Sequence, residues 1–270
     1  MTQYNAIFRG GLIYDGSGEP PYIGDVAVDG DRISVVGPAA SLSTADNEHD
    51  ITGLAIAPGF IDAHTHDDRI VVDAPDMLPK ISQGVTTVVV GNCGISLAPV
   101  IFSGDPPAPM NLLGGREAYS FPNFRSYAAT LSKSAPAVNV AALIGHSALR
   151  LAVMDDVRRR ATTGEVEAMR SLADEAMDSG ATGFSTGLFY PTNEAADANE
   201  VASIASRFAE HGGVYATHMR DEFDHVLESI DESTQTAAAA KIPLIISHHK
   251  CAGPANWGRT KETLPKLEQV

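Results

Sequence analysis

Short runs in which apolar and polar residues alternate dominate the first 56 residues of the chain. Residues 6–8 and 12–14 form two such runs on either side of a Gly-Gly pair, and residues 25–36 (DVAVDGDRISVV) form two more around an Asp-Gly turn. Alternation with a period of two is typical of strands that bury one face, and Asp-Gly favours a tight hairpin. The pattern therefore predicts a small β-layer over residues 1–56.

From residue 57 onward, short apolar runs alternate with amphipathic stretches. One of these stretches opens with a capping box at Thr162 and Glu165, and another places apolar side chains on one face of residues 223–230, which favours helices packed on a core. Strands that alternate with helices predict a parallel sheet built from βα units. The six strand candidates are residues 56–63, 86–91, 139–144, 182–186, 214–217 and 243–247.

Six strands are too few to close a barrel of eight. We therefore predict an α/β chain with an incomplete TIM-like (β/α) barrel over residues 57–270, truncated at its C-terminal side and preceded by the β-layer. An incomplete barrel exposes apolar edges, so we expect self-association or pairing with a complementing C-terminal segment.

Composition narrows the class of protein. The 270 residues carry 19 Lys+Arg against 34 Asp+Glu, and the formal net charge of −15 disfavours nucleic acid and anionic membranes as partners. Only two cysteines are present, which predicts a reducing, cytoplasmic location without a disulfide framework. The N-terminal residues lack the apolar core of a signal peptide, and no apolar run reaches the ~18 residues of a membrane span.

His64 and His66 are the strongest candidates for chemistry, since they follow an apolar run two residues apart. Alternate side chains of a strand point to the same side, and a barrel keeps its active site at the C-terminal ends of its strands. We therefore predict a divalent metal site, against the alternative of two structural histidines. Asp62 either supports this site or caps a turn.

Three further candidate ligands each follow a strand-like run: Cys93, His218 and His248. Thiolate and imidazole are the ligands that zinc prefers, although a lone cysteine is more often a small buried apolar residue. His218 and His248 lie 30 residues apart, since 248 − 218 = 30, which matches one βα unit.

Other polar residues near these strand ends carry weaker predictions. Lys250 shares a side with His248 and is expected to meet an anionic substrate group, unless it is simply solvated. His249 should point the other way and have a structural role. His146 and Tyr190 follow the third and fourth strands and are weaker site candidates.

Taken together, these motifs resemble the amidohydrolase superfamily and, within it, the zinc-dependent D-aminoacylases, also called N-acyl-D-amino-acid deacylases. The resemblance extends through the whole chain and rests on several long motifs in the same order. They are PGFIDAHTHDD, GNCG, GHSALR, GLFYP, YATHMRDE, ISHHKCAG and NWGR.

The resemblance implies a barrel joined to a small β-sandwich, part of which residues 1–56 would form. It implies zinc-dependent hydrolysis of N-acyl-D-amino acids to a carboxylate and a free D-amino acid, with this small molecule as the partner. It also implies roles for individual residues: Cys93, His218 and His248 hold a tight zinc ion, His64 and His66 belong to a second, weaker position, and Lys250 and Tyr190 contact the substrate.

The sequence departs from the superfamily pattern in two places. Many relatives have a carboxylated lysine after the fourth strand, but residues 183–187 (GFSTG) contain none, and Cys93 resembles its substitute. The family's catalytic aspartate after the eighth strand is absent, so no residue is assigned as general acid or base. Two alternatives therefore stay open: a catalytically incomplete zinc-binding fragment or interaction module, and another amidohydrolase such as a dihydroorotase or hydantoinase, which the missing lysine disfavours.

Overall fold

The computed structural model describes residues 4–38 and 44–269. The chain separates into two units, Met1–Phe60 and Ile61–Val270. Among the described residues, no helix combines the length and the apolar character needed to cross a lipid bilayer.

The N-terminal unit is a mixed sheet with the strand order β3-β2-β1-β4, in which β5 also pairs with β1. β1 runs antiparallel to β2 and parallel to β4 and β5, while β2 and β3 form the predicted hairpin. The strands are β1 (Tyr4–Ile13), β2 (Tyr22–Asp29), β3 (Arg32–Pro38), β4 (Ala45–Asp50) and β5 (Ala55–Ile56).

The runs at residues 6–8 and 12–14 are joined in one strand, β1, which ends at Ile13. The register shifts between Phe8 and Gly11, and Gly10 has a φ of +73°, so the Gly-Gly pair forms a bulge within one strand. The buried carboxylate of Asp25 accepts a hydrogen bond from the Gly10 amide at 2.9 Å and holds this bulge.

A six-stranded sheet organises the second unit, and its strands follow one another in sequence order from β6 to β11. The pairs from β7 to β11 are parallel. These strands are β6 (Phe60–Asp62), β7 (Val85–Val90), β8 (Asn139–Gly145), β9 (Gly183–Gly187), β10 (Val214–His218) and β11 (Leu244–Ile246). The predicted incomplete barrel is confirmed: within the described part of the chain, β6 and β11 end the sheet without pairing with each other.

Helices follow the strands and supply the outer side of the core. Phe184 and Tyr215 on the sheet are fully buried, as are Met169 and Ile204 on the helices. The capping box at Thr162 and Glu165 is present at the start of α5. The helices are α1 (Ile70–Asp73), α2 (Leu78–Ile81), α3 (Phe124–Ser134), α4 (His146–Val153), α5 (Thr163–Asp178), α6 (Ala198–Ala209), α7 (Val226–Ala240) and α8 (Thr260–Leu267).

Candidate metal centre

His64 and His66 lie just beyond β6, and the residue between them anchors the segment. Thr65 is buried and donates both its N–H and its hydroxyl to the Val89 carbonyl on β7, at 3.1 and 2.9 Å. The two imidazole rings meet edge to face with centroids 5.5 Å apart. The Asp62 carboxylate pairs with the Lys80 ammonium at 2.7 Å.

Cys93 lies on the turn that follows β7 and is almost completely buried. Its Sγ atom is 3.3 Å from His64 Nε2 and 3.5 Å from His248 Nε2. The three donor atoms lie within 4.8 Å of one another. Residues 155 positions apart in the sequence therefore converge on one point.

Glu222 joins the two downstream histidines, and the sequence interpretation missed it. One carboxylate oxygen lies 3.3 Å from His218 Nε2, and the other lies 3.1 Å from His248 Nδ1. The residue is only 3% exposed and also contacts the Lys250 ammonium. The available signal was its place four residues after His218, in HMRDE.

The charge on Glu222 determines which histidine nitrogens carry protons. Burial by itself would raise the pKa of Glu222, but hydrogen bonds from His218, His248 and Lys250 hold that pKa well below its ordinary value. An ionised carboxylate only accepts hydrogen bonds and therefore favours the tautomers with protons on His218 Nε2 and His248 Nδ1. This leaves a lone pair on His248 Nε2 directed towards Cys93.

Tyr190 lies beside His218, and Lys250 lies beside Glu222. The Tyr190 hydroxyl is 3.4 Å from His218 Nδ1, and burial, with Cys93 and Glu222 nearby, raises the pKa of Tyr190 to about 12. The hydroxyl is therefore protonated at neutral pH and can donate. The Lys250 side chain is half exposed and its ammonium pairs with Glu222.

Phe189 packs against His218, and its neighbour Phe223 is not where the sequence predicted it. Phe189 stacks on the His218 ring at a centroid distance of 5.6 Å, and on Phe223 at 6.4 Å. Phe223 was expected in the core, yet it is 43% exposed because α7 begins only at Val226. Phe223 therefore does not belong to the buried face that Val226 and Ile230 form on α7.

Two other histidines, His146 and His249, contact residues outside the candidate metal centre. His146 is fully buried and lies 2.9 Å from Glu200, which also pairs with Arg150. His249 Nε2 lies 2.8 Å from the Thr263 hydroxyl. Neither belongs to the two groups of donor atoms found among the described residues.

The donor set suits a zinc ion. Burial and the neighbouring His248 lower the pKa of His64 to about 4, so its imidazole is neutral and offers a lone pair. Burial and Glu222 raise the pKa of the Cys93 thiol to about 12, and a zinc ion is the kind of neighbour that removes this proton. Sulfur and imidazole nitrogen are the ligands found in zinc sites.

Comparison with known proteins finds similar chains among the amidohydrolases. Residues 47–269 match the amidohydrolase family. The chain is 48% identical over 265 residues to the D-aminoacylase of Alcaligenes xylosoxydans xylosoxydans and covers 54% of that protein, with 98% of this chain aligned. It is 46% identical over its full length to the N-acyl-D-aspartate deacylase of the same organism, again covering 54% of the relative. It therefore spans about half the length of these relatives.

Solved structures show the same relationship. A crystal structure of D-aminoacylase superposes with a TM-score of 0.94 at 47% identity, over 98% of this chain and 56% of that chain. The N-acyl-D-glutamate deacylase of Bordetella bronchiseptica, complexed with zinc and a phosphonate mimic of the tetrahedral intermediate, superposes at 0.92 with 40% identity, over 99% and 56%. A D-hydantoinase reaches 0.53 at 15% identity, which is a likeness of fold alone.

Proposed function

Because this chain belongs to the amidohydrolase family, we propose that it forms the metal-binding part of a D-aminoacylase-type hydrolase. The reaction is cleavage of the amide bond of an N-acyl-D-amino acid to a carboxylate and a free D-amino acid. The observation that carries this proposal is the convergence of Cys93 Sγ on His64 and His248 beside the Glu222 carboxylate. The relatives named above act on N-acyl-D-amino acids.

The proposed metal ligands are those expected from the sequence. We propose that Cys93, His218 and His248 hold one zinc ion tightly and that His64 and His66 belong to a second, weaker position; His248 is shared by the Cys93–His64 group and the His218–Glu222 group of donor atoms. A zinc ion at such a site polarises a carbonyl group and lowers the pKa of bound water.

The other residues at the site orient groups and bind substrate. Glu222 orients the protons on His218 and His248, so that each ring keeps one nitrogen without a proton. Tyr190, which is protonated, donates a hydrogen bond to a substrate oxygen, and the Lys250 ammonium attracts the substrate carboxylate. We assign the general base to no residue of this chain.

Residues 1–56 are proposed as a β-sandwich portion and residues 57–270 as the metal-binding barrel. The barrel sheet ends at β6 and β11, where Ile61 is 66% and Ile245 is 44% exposed. Unpaired strand edges with apolar side chains recruit further strands. A complementing segment or a second copy of this chain is therefore the partner that we propose at these edges.

The test measures zinc content together with release of D-methionine from N-acetyl-D-methionine, with the L-enantiomer as control. Cys93→Ala should lose tightly bound zinc, whereas Cys251→Ala, which changes the other cysteine of the chain, should retain it. Zinc with D-selective turnover supports the full proposal. Zinc without turnover refutes hydrolysis by this chain alone, and a Cys93→Ala variant with unchanged zinc refutes the ligand assignment.

A further inference from the structure

Cys93 occupies an unfavourable backbone conformation. Its φ is +56°, and the glycines at both ends of the turn, Gly91 and Gly94, have φ of +78° and +75°. A residue with a side chain is disfavoured in this left-handed region, so the surrounding structure must hold the turn in place. The direction of the Cys93 thiol depends on that support.

A single hydroxyl group on a neighbouring strand closes this turn. Ser185, fully buried in the middle of β9, accepts a hydrogen bond from the Gly94 amide at 2.9 Å. The same hydroxyl donates to the Gly91 carbonyl. One side chain therefore satisfies a buried donor and a buried acceptor on the two residues that flank Asn92 and Cys93.

Glycines on two strands form the walls around the turn. A Cβ atom at Gly145, at the end of β8, would overlap the Gly94 carbonyl, and one at Gly187, at the end of β9, would overlap the Cys93 carbonyl. The backbone of the turn therefore occupies the space in which a side chain at position 145 or 187 would lie. Ser185 is the polar contact between β9 and the turn.

We propose that Ser185 is a positioning residue for Cys93: its hydroxyl joins the two ends of the Gly91–Gly94 turn and thereby directs the thiol to the metal. This inference rests on the proposed role of Cys93 as a ligand. The cobalt spectrum of the unmodified chain tests that role separately, because Co²⁺ bound to a thiolate gives a charge-transfer band in the near ultraviolet.

The experiment compares Ser185→Ala with Thr186→Val in the chain loaded with Co²⁺. Thr186 is the next residue on β9, is equally buried, and shares hydrogen bonds with Tyr215 at 3.0 Å and Thr217 at 2.8 Å, away from the turn. Both variants lose one buried hydroxyl, so both should unfold at a lower temperature. Only Ser185→Ala should weaken Co²⁺ binding, by on the order of tenfold, and alter the charge-transfer band.

A second measurement is independent of cobalt. In a Cys251→Ala background without metal, Cys93 should react with a thiol reagent faster in Ser185→Ala than in Thr186→Val, since the turn opens more often. If neither variant folds, amide hydrogen exchange of the unmodified chain decides, because the Gly94 amide should be as protected as the amides of β9. Equal effects of both variants on cobalt binding, or rapid exchange at Gly94, would overturn the inference. Absence of the charge-transfer band in the unmodified chain would instead refute Cys93 as a ligand.

Discussion

Replacing Glu222 with glutamine tests the proton arrangement at the site. The carboxylate oxygens lie 3.3 Å from His218 Nε2 and 3.1 Å from His248 Nδ1. The amide of Glu222→Gln has the same shape, but it accepts at its oxygen and donates at its nitrogen. It can therefore satisfy only one histidine in its present tautomer.

The other histidine must move its proton to the nitrogen that would bind the proposed metal. A ligand whose lone pair carries a proton cannot bind, and loss of such orienting partners costs about 10–100-fold in metal affinity. This corresponds to about 1.4–2.8 kcal/mol. Lys250 loses its carboxylate partner as well, but its half-exposed side chain can turn to solvent.

The assay is competition for Zn²⁺ against a chromophoric chelator at neutral pH. Glu200→Gln is the matched control, because Glu200 is also a buried carboxylate that contacts a histidine and a cationic side chain, in this case His146 and Arg150. It should keep the zinc affinity of the unmodified chain. Unchanged zinc affinity in Glu222→Gln, or an equal loss in Glu200→Gln, would refute the proton assignment.

Three further outcomes are expected. Burial alone would raise the pKa of Glu200, but hydrogen bonds from His146 and Arg150 outweigh it and lower that pKa from 4.5 to about 2. The stability that this carboxylate contributes is present above pH 4.5 and is lost as the pH falls towards 2. In urea titrations with a chelator present, the free energy of unfolding of Glu200→Gln should therefore fall less steeply at acid pH than that of the unmodified chain. Parallel curves would contradict this. Removing the metal with a chelator should lower the unfolding temperature, since zinc at 100 times its Kd stabilises the folded state by about 2.7 kcal/mol, and identical melting curves would argue against a site formed only on folding. Lys250→Met should retain its zinc while binding N-acetyl-D-methionine more weakly by calorimetry, and unaltered binding would remove Lys250 from the substrate site.

Much of the fold follows from local patterns in the sequence. Strands separated by amphipathic helices predicted the order β6 to β11, because parallel neighbours need a crossover and the chain supplies one after each strand. Local patterns left the conformation of the Gly-Gly pair in β1 undetermined. The structure shows a bulge there, since Asp25 on the next strand holds the Gly10 amide.

The candidate ligands were also visible in the sequence, because each follows a strand and the C-terminal ends of parallel strands lie at one edge of the sheet. The residues that contact and orient these candidate ligands were not recognised from the sequence pattern. Asp62 was a candidate supporter and pairs with Lys80, while Glu222, which contacts two of the histidines, lies in a loop where its place four residues after His218 is its sequence signal.

The sequence by itself determined the order of the strands, the class of candidate ligands and the family resemblance, since each depends on residues close together in the chain. Only the tertiary structure decided how the candidate ligands meet. Cys93 reaches His248 across 155 residues, and the turn that presents it is held by Ser185 from 91 residues beyond Gly94. Such contacts depend on the curvature of the whole sheet and on the space left by glycines on β8 and β9, and no local periodicity encodes that geometry.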